Sequence, residues 1–143
     1  MSNGADAVGM EHSKLADELL THLPEHLRAP LASLRHLPSC SREDLLAELE
    51  CYSRHIDAEA NRRGDLDVEL AEELLRAYKI LLQTQWDDLS TDQQHLVQLS
   101  CRYYLDPGDE EGDLSSVFGF DDDALVLNQT LEMISRPDLK ILV

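Results

Sequence analysis

The residues best equipped for chemistry are five aspartates in one short stretch: Asp109, Asp113, Asp121, Asp122 and Asp123. Nine acidic residues and no basic one lie between Tyr103 and Ser135. Carboxylate oxygens are the ligands that calcium and magnesium prefer, so a loop folding back over the following helix could gather these groups around Ca or Mg. The spacing is not that of an EF-hand. With Gly112 as the turn glycine at loop position 6, position 1 is Pro107 and position 12 is Phe118, and neither supplies a carboxylate. A structural role is the first expectation for all five. Asp121, Asp122 and Asp123 sit where a helix should begin, and a carboxylate there gains ~0.3–1 kcal/mol from the positive end of the dipole. Asp109 and Asp113 follow Pro107-Gly108, where a short polar side chain closes a turn on nearby amides. Asp109, Glu110, Glu111 and Asp113 also form an acidic face suited to a basic partner, and cation binding by the loop is the second reading.

Other patterns carry less. His22-Leu-Pro-Glu-His26 has the letters of an inverted zinc-protease motif, which needs both histidines on one face of a continuous helix, and Pro24 interrupts that helix. The remaining histidines, His12, His36, His55 and His95, show no paired spacing and are expected at the surface or its boundary. Cys101 has no base near it in sequence, and no nucleophile elbow or glycine-rich phosphate loop occurs. No catalytic residue is assigned and no cofactor is expected beyond the cation alternative. Tyr103, Tyr104, Phe118 and Phe120 cluster in one segment, and packing is the expected use of such rings. Arg54, Arg62 and Arg63 fall toward the end of a predicted helix, where cations suit the dipole and can pair with acids of the chain itself.

The acidic stretch has a recognisable spacing. Tyr103, Pro107, Asp109, Gly112, Asp113, Gly119, Asp122 and Asp123 follow, without a gap, the order Tyr, Pro-x-Asp-x-x-Pro-Asp, Gly-x-x-Asp-Asp. In this the chain resembles the YkvA-like family of small bacterial domains of unknown function, over residues 70–135. It departs from the pattern at Gly112 and Ser116, where the family has prolines, and at Glu110 and Glu111, where it has apolar residues. The resemblance implies a helical pair joined by an ordered acidic loop and brings no catalytic residue. Some members look membrane-associated, but two adjacent glutamates are costly in lipid, so a soluble version is expected here.

Composition narrows the function classes. The net charge of -17, from 29 Asp and Glu against 12 Lys and Arg, repels phosphate backbones and disfavours nucleic acid while favouring a basic protein surface. Three cysteines without a Cys-x-x-Cys pair fit reduced thiols and a cytoplasmic protein, with core filling as their expected use. The first residues do not read as a signal peptide, and no apolar run approaches the ~20 residues of a spanning helix, so no membrane partner is expected.

With 143 residues, 43% of them hydrophobic, one core is expected: residues 1–9 flexible, then a single helical domain over 10–143. A helix is predicted over 10–22, ended by Leu23-Pro24, and a short one over 30–37 with Pro30 in its first turn and Leu31 and Leu34 inward. Ser41-Arg-Glu-Asp44 caps a long helix along Leu45, Leu49, Tyr52 and Ile56, which stops at Asn61–Gly64. Asp65 or Asp67 caps the next, whose face is Leu70, Leu74, Tyr78, Leu81 and Leu82 and which ends near Trp86. Ser90 and Gln93 form a capping box for a helix through Leu96, Val97, Leu99, Cys101 and Tyr103. The last helix takes Asp121 as N-cap and faces inward through Leu125, Leu127, Leu131 and Ile134, and Leu139–Val143 is apolar enough to dock. The reading is an all-α, single compact bundle of five or six helices with an ordered acidic loop before the last long helix. Its expected function is a non-enzymatic acidic interaction module, of adaptor, inhibitor or immunity type, for a basic protein; the alternative is a divalent-cation-binding domain using the acidic loop 106–123, and a metal-dependent enzyme ranks last.

Overall fold

A computed structural model describes residues 14–35, 40–62, 67–105 and 119–141. They form an all-α bundle: α1 (Lys14–His22), α2 (Glu25–Leu34), α3 (Arg42–Arg62), α4 (Val68–Gln83), α5 (Thr91–Leu105) and α6 (Gly119–Met133). Single 3-10 turns, Trp86–Asp88 and Pro137–Leu139, follow α4 and α6. No helix is long and apolar enough to cross a membrane among the described residues.

The helix ends obey local chemistry. Ser41 Oγ accepts the Asp44 amide at 3.0 Å to open α3, and Asp67 Oδ1 accepts the Leu70 amide at 3.1 Å to open α4. At α5 the capping box is reciprocal: the Gln93 amide donates to Ser90 Oγ at 3.2 Å, and the Ser90 amide to Gln93 Oε1 at 2.9 Å. Helix α6 ends in a Schellman turn, with Ser135 at φ 62° and the Arg136 amide on the Leu131 carbonyl at 2.8 Å.

Two boundaries differ from the sequence expectation. Helix α2 starts at Glu25, immediately after Pro24, so Pro30 lies inside the helix and not in its first turn. The gain that tolerates it is burial of Leu27 as well as Leu31 and Leu34 on one face. Helix α6 starts at Gly119, which puts Asp121 in the first turn, not at the N-cap. Its inner face runs Phe120, Ala124, Leu127, Leu131 and Ile134, at alternating steps of four and three, and Leu125 falls off that stripe at 41% exposure.

One contiguous core passes through all six helices. Helix α5 is its axis, packing against α1, α2, α3 and α6, while α3 lies along α4. The α4 and α5 backbones come close at few points, and tyrosines span the gap. The Tyr78 hydroxyl reaches the Ser100 carbonyl at 3.1 Å and lies 2.7 Å from Ser100 Oγ, and the Tyr104 hydroxyl donates to the Ala71 carbonyl at 2.9 Å. After the second 3-10 turn the chain returns to α6. The Asn128 side chain donates to the Ile141 carbonyl and accepts its amide, both at 2.8 Å, with Ile141 buried as the apolar tail predicts.

Candidate interaction surface

The acidic motif divides once it is folded. Asp121, Asp122 and Asp123 occupy consecutive positions on α6, each rotated about 100° from the last. Asp121 is exposed, Asp122 is partly buried and Asp123 is fully buried. Three carboxylates that diverge in this way do not converge on one cation, and among the described residues no group of three His, Cys, Asp or Glu side chains is placed to hold a metal. The remaining candidates, Asp109, Glu110, Glu111 and Asp113, lie outside the described residues, as does Phe118.

Asp122 faces the start of α2, where His26 Nε2 lies 3.3 Å from its Oδ1. This contact also disposes of the zinc-like motif. His22 ends α1 with Nδ1 2.8 Å from the Glu18 carbonyl, whereas His26 opens a different helix and turns to α6. Pro24 separates the two.

Of the aromatic cluster, Tyr104 and Phe120 are core. Tyr104 is its hub: Tyr52 of α3 meets it edge-on at 5.0 Å, Tyr78 of α4 stacks on it at 5.4 Å, and Phe120 of α6 lies at 6.3 Å. Tyr103, the motif tyrosine, is only partly buried beside it. Buried Tyr78 is held well above the ordinary phenol range by desolvation, with Cys101 and Asp123 adding to the effect. Burial likewise pushes the Cys101 thiol up, helped by Cys40 and Glu48, and its side chain is sealed from solvent.

The cysteines do not share one fate. Cys101 fills core, Cys40 is partly covered, and Cys51 is exposed, contrary to the expectation of core filling. Cys51 lines an open groove of about 280 Å³ with Glu48, Tyr52 and His55 of α3 and Leu105 at the end of α5. Arg54 donates to Cys51 Sγ at 3.6 Å. Sequence reasoning missed this groove. The positions Glu48, Cys51, Tyr52 and His55 carry a helical period that could have flagged one face, but nothing in the chain announces that Leu105 closes it from another helix.

Five basic side chains are paired with acids within the fold. Arg35 meets Asp17 at 2.7 Å, Arg62 meets Glu59 at 2.6 Å, Arg42 meets Glu43 at 3.3 Å, Lys79 meets Glu50 at 3.4 Å, and Lys140 meets Glu132. Arg62 therefore pairs internally, as its place near the end of α3 suggests, while Arg63 lies outside the described residues.

Comparisons of the chain with protein-family models, curated proteins and solved structures find no match.

Proposed function

We propose that this protein is a non-enzymatic acidic interaction module that binds a basic protein surface as an adaptor, inhibitor or immunity-type partner, and that it is a YkvA-like relative. The observation that carries the reading is the pairing of its cations. Arg35, Arg42, Arg62, Lys79 and Lys140 each contact an acid of the same chain, while Asp44, Glu48, Asp57, Glu69, Glu72, Asp88 and Asp92 are exposed, in a chain of net charge -17. Such a field accelerates encounter with a basic partner and disfavours acidic ones. The kinship rests on the spacing from Tyr103 to Asp123, and the reduced, buried Cys101 agrees with a cytoplasmic setting.

The test is fluorescence anisotropy of a labelled hexa-arginine peptide and a hexaglutamate control at 50 and 500 mM NaCl. Saturable binding of the basic peptide that weakens at the higher salt is the expected result, because the Debye length shrinks from ~10 Å at 0.1 M toward ~3 Å at 1 M. Absence of binding to the basic peptide at 50 mM overturns the reading.

A further inference from the structure

We infer that the groove between α3 and the end of α5 is an anchor site for an arginine side chain of the basic partner. This rests on the acidic-module reading and assigns it a specific contact point.

The argument begins with size. A groove of about 280 Å³ lies at or below the ~300–1,000 Å³ of small-molecule sites, so it suits one long side chain better than a metabolite or a cofactor. Its lining then selects which side chain. Tyr52 and Leu105 offer partly buried apolar surface along which a three-carbon stem can lie, and Tyr52 adds an aromatic ring that attracts a planar cation. The ring does not have to be ordered on binding, since its edge-on contact with buried Tyr104 already fixes it.

Charge narrows the choice to a cation. Glu43, Glu50 and Glu59 of α3 each meet a basic side chain of the chain, whereas Glu48 makes no ion pair among the described residues. Helix α5 terminates at Leu105, so the negative end of its dipole falls at the same groove. A carboxylate, a helix C-terminus and an aromatic ring thus surround one cleft. A guanidinium fits this set better than an ammonium because its planar fork pairs with a carboxylate and stacks on a ring at once.

Cys51 supplies a native reporter, being exposed in the groove while Cys101 is buried and Cys40 partly covered. The experiment measures site-resolved alkylation of Cys51 by iodoacetamide, read by mass spectrometry, with and without hexa-arginine at 50 mM NaCl, alongside anisotropy of the labelled peptide. Glu48→Gln is compared with Glu72→Gln, which makes the same charge change at an exposed position of α4 outside the groove. Both replace exposed side chains, so folding is preserved, and circular dichroism verifies it. At ten times the dissociation constant, occupancy of the groove slows Cys51 alkylation about tenfold. Expected is that protection, kept in Glu72→Gln and lost in Glu48→Gln. Peptide binding without protection of Cys51, or with equal loss in both variants, overturns the groove assignment and leaves the acidic module standing. No peptide binding at all overturns both.

Discussion

Tyr78 and Tyr104 show how single side chains hold this fold where its backbones stand apart. Each buries a ring between α4 and α5 and satisfies its hydroxyl on the opposite helix. Tyr78→Phe keeps the ring and orphans the Ser100 hydroxyl, so it should cost about 1–2 kcal/mol in urea unfolding. The raised Tyr78 and Cys101 groups fix a pH direction as well. Both are acids whose neutral form the fold favours, so the stability they contribute is complete below their unfolded values, the ordinary 9.0 for a thiol and 10.0 for a phenol. Above pH 9 the unfolded chain releases protons that the native chain keeps, and stability falls as pH rises. Urea midpoints from pH 8 to 10.5 should decline, with a shallower slope in Cys101→Ala. The exposed Asp121 is the simplest test of the dipole contribution: Asp121→Ala should cost only ~0.3–1 kcal/mol in urea unfolding.

At the scale of elements, α6 was the helix whose orientation was least legible. The sequence reading puts Leu125, Leu127, Leu131 and Ile134 on one face, yet Leu125 and Leu127 are two positions, and so about 200°, apart. The stripe that begins at Phe120 captures Leu127 and rejects Leu125. Leu127→Ala should therefore cost ~2–5 kcal/mol, whereas Leu125→Gln should stay within about 0.5 kcal/mol, both by denaturant unfolding. The end of α6 offers a gain. Ser135 holds a left-handed conformation at φ 62°, a position where glycine meets no Cβ clash, and Ser135→Gly should stabilise the protein by about 0.5–1 kcal/mol. Helix starts were easier to read. Ser41, Asp67 and Ser90 with Gln93 are caps because their short oxygens reach amides two or three residues on, a relation contained wholly within the local sequence.

For the whole molecule, surplus negative charge is the dominant surface property. Self-repulsion among unpaired carboxylates opposes the compact state, so thermal unfolding should shift upward between 20 and 500 mM NaCl while binding to a basic peptide weakens. Opposite salt responses of folding and association would separate surface charge from core packing. Isolated ion pairs such as Lys79 with Glu50 are exposed and add little to stability, so their consequence lies in leaving the acid excess to face a partner.

What the sequence by itself determined was local or periodic: the all-α class, the capped starts of α3, α4 and α5, the inward face of α4, and the acidic character of the surface. These follow from relations spanning a few residues or from composition, which no packing arrangement alters. The tertiary structure decided what depends on distant neighbours: that Asp122 turns to His26, that Asp123 is buried while Asp121 is not, that Tyr104 joins three other helices, and that Leu105 closes a groove on α3. Helical spacing says which side chains share a stripe, but which stripe meets another helix is set by burying the most apolar surface over the whole chain at once.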